Sequence, residues 1–144
     1  MENKTIPSPY FPKTQIFVGP QSSGKKAAAL LIGSDKKVVN MPWYKKLGED
    51  PYTFHKVEKD TDLIIIENVP LKKLEETLMH LMNTDIQINR QSRNSFVMRR
   101  PHTILICDSE GYSWDDGNQR FRGSLMRRFE IVQFPQIDKQ LLNQ

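Results

Sequence analysis

Only one cysteine, Cys107, occurs in the 144 residues, so no disulfide can close within the chain, and a reducing compartment, the cytoplasm, is the expected setting. Long hydrophobic runs are missing too. The apolar stretches are as short as LIII at 63–66, far below the ~20 residues that a membrane-crossing helix needs, and no membrane partner is expected. The opening MENKTIPSPYFPKTQ has no apolar centre behind its Lys4, which excludes a secretory leader there. Histidine is scarce: His55, His80 and His102 stand far apart and form no metal-ligand spacing. Arginine is absent before position 90, and acidic residues are absent from IQINRQSRNSFVMRR, 86–100. There are no repeats or low-complexity tracts. With 38% hydrophobic and 26% charged residues, the composition excludes wholesale disorder and fits one domain with a single core.

What is present alternates. Five short apolar runs follow a proline-rich start: IFV (16–18), VVNM (38–41), LIII (63–66), TILIC (103–107) and EIVQF (130–134). Most lack polar alternation, as strands buried on both faces of a largely parallel sheet do. Between them, GKKAAALLI is rich in helix formers and stops at Gly33-Ser34. LKKLEETLMHLMN (71–83) puts Leu71, Leu74, Leu78, Leu81 and Met82 on one stripe, and FRGSLMRRF (121–129) is a shorter helical candidate. Strands alternating with helices predict an α/β layered domain over 16–135, with an extended arm over 1–15 and a tail over 136–144. The segment 85–101 breaks the pattern. Ile86 and Ile88, then Phe96 and Met98, alternate with polar or solvent-side residues around the turn-forming RQSRN, so a β-hairpin inserted before the fourth core strand is expected, with Arg90 and Arg93 at its tip.

The net charge is only +4, but all eight arginines lie between Arg90 and Arg128, whereas twelve of the thirteen lysines precede Leu74. Arg90, Arg93, Arg99 and Arg100 therefore form a cluster without acids. Guanidinium forks onto phosphate and stacks on bases, which makes this cluster a candidate nucleic-acid contact. Charge alone leaves a solvated basic face open, and slightly favours it.

Gly19-Pro20-Gln21-Ser22-Ser23-Gly24-Lys25 matches G-x-x-x-x-G-K between an expected strand and an expected helix. Glycines at those places let backbone N–H groups surround a phosphate, the helix N-terminus adds partial positive charge, and Lys25 would reach the outer phosphates. The next position, which normally carries a Ser or Thr hydroxyl for Mg²⁺, is Lys26; a charged ammonium cannot be a ligand. It can lie beside the phosphates or point to solvent. DLIIIENV (62–69) ends an apolar strand with Glu67-Asn68, where an acid that organises metal and an acid that activates water would stand. Glu67 can bind a metal or its water; Asn68 can orient water but cannot take its proton. TILICDSEGYSW (103–114) ends a strand with Asp108 and Ser109, the place of a polar γ-phosphate sensor. Arg127 and Arg128 precede the last strand, where an arginine can stabilise transition-state charge or simply suit a helix C-terminus.

Taken in order, GPQSSGKK, DLIIIENV, the arginine hairpin, TILICDSEGYSW and SLMRRFEIVQF resemble a superfamily 3 helicase domain, the compact AAA+-like ATPase of small-virus and plasmid replication initiators. The likeness covers 16–134 and is nearest to the helicases of circular single-stranded DNA viruses, where a basic hairpin residue before an aromatic is similar to Arg90 and Phe96 here, and an aromatic after the sensor to Trp114. The resemblance implies a three-layer P-loop NTPase fold whose mostly parallel five-stranded sheet runs 5-1-4-3-2 with an inserted hairpin. It implies ATP and Mg²⁺ as cofactors, Glu67, Asn68, Ser109 and Arg128 at catalytic positions, and translocation along single-stranded DNA or RNA by a homo-oligomeric ring.

The departures fall on one function: Lys26 for the Mg²⁺ hydroxyl, Glu67-Asn68 for an acidic pair, and Ser109 for the expected sensor Asn. Single losses of such groups cost ~100-fold or more in rate. The 144 residues also hold no origin-binding nuclease or oligomerisation helices, so a degenerate, monomeric descendant with weak or lost hydrolysis is expected. The alternative is an adaptor that binds nucleic acid or a replication partner without ATP. A small-molecule phosphotransferase ranks third, because KKVVNMPWYKKLGEDPYTFHKV offers no recognisable lid.

Overall fold

All five apolar runs fold as strands of one sheet in the computed structural model, which describes residues 14–108 and 129–135. In chain order the elements are β1 (Thr14–Gly19), α1 (Lys25–Ile32), β2 (Val38–Pro42), β3 (Leu63–Pro70), a short 3₁₀ turn (Leu71–Lys73), α2 (Leu74–His80), β4 (Asp85–Ile88), β5 (Phe96–Arg99), β6 (His102–Asp108) and β7 (Glu130–Gln133). The sheet runs β2-β3-β6-β1-β7, and every neighbouring pair is parallel. With the hairpin strands set aside, this is the order 5-1-4-3-2.

The lack of polar alternation has its expected cause. Successive side chains of a strand point to opposite faces, and here both faces are covered. Phe17, Leu63, Ile65, Ile104 and Ile106 point to one side, where Ala29 of α1 packs on them. Ile16, Val18, Ile64, Ile66, Leu105 and Cys107 point to the other. That second face is covered by Leu47, Phe54 and Val57 from the turns after β2, by Leu74, Leu78 and Leu81 around α2, and by Ile86 and Ile88 of the hairpin. The result is three layers around the sheet. The helix expected over 71–83 is shorter: a 3₁₀ turn precedes it, and Leu81 leaves helical geometry (φ −106°, ψ 14°) while staying buried.

The segment 43–62 carries no strand or helix, yet its turns are tightly pinned. The Thr53 hydroxyl donates to Asp50 O (2.6 Å) and accepts from Gly48 N (3.0 Å) and Tyr44 Oη (3.2 Å). The expected hairpin is present: Asp85–Ile88 pairs antiparallel with Phe96–Arg99 in the register Ile86↔Met98 and Ile88↔Phe96. β1 begins at Thr14, two residues inside the range expected for the arm. The rest of the arm, the tail and most of the 121–129 candidate helix lie outside the described residues.

Candidate functional site

Parallel strands connected through helices bring their C-terminal ends to one edge, where ligands of such sheets bind. Gly19 ends β1 and is the register partner of Asp108 at the end of β6; Glu67 and Asn68 lie near the end of β3. Between β1 and α1 the chain makes the expected crook. Ser22 (φ 62°) and Gly24 (φ 94°) both take left-handed backbone, and Gly24 is the residue that opens α1. Among the described residues, no atom beyond the chain neighbours lies within 4 Å of a Cβ built on Gly24, so its backbone angle, not crowding, calls for glycine there. Pro20, Gln21 and Ser22 are exposed and Ser23 is half-buried.

Lys25 is the centre of this edge. Its side chain is 4% exposed, rare for a lysine unless its charge is matched. Nζ lies 2.8 Å from Asp108 Oδ1 and donates to Gly19 O (2.7 Å) and Pro20 O (2.6 Å), with Ser23 Oγ at 3.4 Å. The loop thus wraps its own lysine, and Asp108 supplies the counter-charge. The sequence carried a signal for this, because Asp108 ends an apolar strand that must lie beside the strand of the loop. Ser109 and Arg128 lie outside the described residues, as do Arg127 and Trp114.

Lys26 turns to β3 and meets Glu67: Nζ to Oε1 is 3.1 Å, with the lysine side chain 60% and the glutamate 23% exposed. A pair this open to water contributes ~0–1 kcal/mol and opens readily. Asn68 is exposed and sits at φ 61° inside a bulge, where the β3–β6 register shifts between Ile66 and Val69. Asparagine tolerates that backbone better than most residues. These residues do not fit the Mg²⁺ that the resemblance implies. A hard divalent cation takes carboxylate and hydroxyl oxygens. Here an ammonium replaces the hydroxyl, and among the described residues the two carboxylates of the edge, Asp108 and Glu67, each hold a lysine. Glu67, the expected metal ligand, is ion-paired with Lys26 in this structure.

The four clustered arginines separate. Arg100 is buried at 3% exposure and faces inward. Its Nη1 donates to Thr14 Oγ1 (2.7 Å) and Thr103 Oγ1 (3.0 Å), and Nη2 to Leu81 O (2.6 Å), while Nε has no partner among the described residues. Burial pushes the guanidinium down to about 10. Among the described residues no carboxylate is ion-paired with it. The expected nucleic-acid contact at Arg100 is thus corrected, because a guanidinium inside the core cannot meet a phosphate. Arg90 does not stand free at the hairpin tip either. It donates through Nε to His55 O (3.1 Å) and through Nη2 to Val57 O, pairs with Glu58 (3.1 Å), and lies 5.2 Å over the Phe96 ring. Arg93, 65% exposed, reaches the other Glu58 oxygen only at 3.6 Å, and Arg99 is exposed. Arg93 borders an open cleft of about 560 Å³ that Tyr52 and His55 also line.

No family model matches this sequence, and no curated protein does. Solved structures do match the fold. The C-terminal region of NrS-1 aligns with a TM-score of 0.55 and 15% identity over 85% of this chain and 29% of that one. JCV helicase aligns with a TM-score of 0.54 and 20% identity over 85% and 36%. The S. cerevisiae Hsp104–ADP complex aligns with a TM-score of 0.55 and 14% identity over 94% and 31%. The chain spans about a third of the length of these proteins. At such identities the likeness shows the fold alone: an α/β domain built on a mostly parallel five-stranded sheet, shared with a helicase and with Hsp104.

Proposed function

We propose that the chain binds a nucleoside triphosphate such as ATP in the Gly19–Lys26 loop and single-stranded DNA or RNA through the arginine hairpin, with hydrolysis weak or lost. Burial of Lys25 in a left-handed crook at the C-terminal edge of a parallel sheet carries the reading. A cation held there, beside the start of α1, is what a polyphosphate needs, and exchange of Asp108 for a phosphate oxygen would keep the ammonium matched. One of the solved structures that share the fold is an ADP complex. For the strand, exposed Arg93 and Arg99 offer phosphate contacts, and Tyr52, 44% exposed beside the cleft, offers a ring for a base. Weak hydrolysis follows from Asn68, which cannot accept the proton of an attacking water.

The test is calorimetric titration of ATP, with and without Mg²⁺, into the wild type and Lys25→Ala. Expected are saturable wild-type binding, an affinity lower by ~tenfold or more in the variant, and little released phosphate. Equal ATP affinity of the two proteins sinks the reading. A second reading, an adaptor that no longer uses nucleotide, draws on the fact that Lys25 already has Asp108 and two loop carbonyls. It predicts salt-sensitive strand binding with no ATP heat.

A further inference from the structure

The ion pair between Lys26 and Glu67 has a chemical meaning that the loop alone does not. Phosphate loops of this shape neutralise the terminal phosphates in two ways, through the loop lysine and through a divalent cation held on the hydroxyl that follows it. This chain has no hydroxyl at that position. It has a second ammonium, anchored 3.1 Å from the carboxylate that would otherwise face the metal. The first ammonium, on Lys25, is buried and lies 2.8 Å from Asp108, with two loop carbonyls as further acceptors. Among the described residues the edge therefore presents two lysines, Lys25 buried on Asp108 and Lys26 exposed on Glu67, and a metal entering there would meet two positive charges and would have to displace a lysine to reach either carboxylate.

From this arrangement we infer that Lys26 stands in for the divalent cation, so that the loop takes the nucleoside triphosphate free of metal. The inference rests on the nucleotide-binding reading above and goes further by naming the ionic form of the ligand. Glu67 then acts as a positioning residue: it holds Lys26 over the loop until a phosphate oxygen replaces it. Because Lys26 is 60% exposed, that exchange needs no rearrangement of the core. The same exposure makes substitutions at 26 safe for folding, which keeps the inference open to direct test.

The experiment is calorimetric titration of ATP into the full chain, once in excess EDTA and once in excess MgCl₂, for the wild type and for Lys26→Ser, which supplies the hydroxyl that the loop lacks. The wild type is expected to bind in EDTA at least as tightly as in Mg²⁺, within about twofold. Lys26→Ser is expected to lose ~tenfold or more in EDTA and to recover with Mg²⁺. Two results would overturn the inference while leaving nucleotide binding intact: wild-type binding that requires Mg²⁺ by ~tenfold or more, or Lys26→Ser binding in EDTA with wild-type affinity. Absence of ATP binding in both solutions would instead remove the nucleotide reading itself, and the inference with it.

Discussion

Arg100 and Arg99 are neighbours with opposite roles. Arg99 is exposed, while Arg100 is sealed among Thr14, Thr103 and Leu81. Thr14 and Thr103 are register partners on β1 and β6, so the two strands together present their hydroxyls to one guanidinium. Arg100→Ala removes three hydrogen bonds and leaves Leu81 O without this donor, which we expect to cost about 2–4 kcal/mol of stability. Arg99→Ala should change stability by less than about 0.5 kcal/mol. Urea denaturation with an unchanged m-value checks both; a loss under about 1 kcal/mol for Arg100→Ala would mean that the buried network carries little. Composition grouped these arginines as one basic cluster, but the parity of the strand separates them: Phe96 and Met98 point inward, and Arg100 shares their parity. That signal stood in the sequence. Its weight was hidden, because an inward arginine is plausible only once the paired threonines are known to lie opposite it, 86 and 3 residues away.

At the level of elements, the strand–loop–helix unit was legible almost to the residue, because local chemistry writes it: an apolar strand, glycines at Gly19 and Gly24, and a run of helix formers. Gly19 nevertheless has a second duty that the motif does not announce. A Cβ there would lie 2.4 Å from Phe134 O and 2.9 Å from Phe134 C. Both are backbone atoms, tied down by the bond from Phe134 N to Val18 O at 2.8 Å, so neither can move aside cheaply. Gly19→Ala should therefore destabilise the fold by about 1–3 kcal/mol through the β1–β7 pair, in addition to any effect on nucleotide. The check is a thermal melt without ligand, and an unshifted midpoint would refute the crowding. Less legible was the docking of the hairpin. Its alternation showed two strands, but Arg90 reaches Val57 and His55 across 33 and 35 residues, and no local pattern records such a partner. The turns over 43–62 were opaque for the same reason, since their order comes from the Thr53 hydroxyl and from Leu47, Phe54 and Val57 packing on the sheet.

For the molecule as a whole, the separation of charges sets what strand binding can look like. A net charge of +4 is modest, and two of the clustered arginines are committed to the protein itself, Arg100 to the core and Arg90 to the turns below the hairpin. Of the four described arginines this leaves Arg93 and Arg99, and on the proposed reading these two are the hairpin's contacts to a strand. Each phosphate neutralised on a single strand contributes a slope of about −0.7 to the dependence of log K on log salt. The double variant Arg93→Ala/Arg99→Ala should accordingly bind single-stranded DNA more weakly at low salt, with a slope shallower by about 1.4, and should keep wild-type stability. Fluorescence anisotropy across a salt series, with the mass in solution followed by ultracentrifugation, measures both slope and assembly. In a monomer the slope reflects one hairpin. A ring would multiply the contacts along the strand and steepen the wild-type slope several-fold beyond the ~1.4 that two contacts supply. An unaltered slope in the double variant would show that the strand, if bound, is held elsewhere on the molecule.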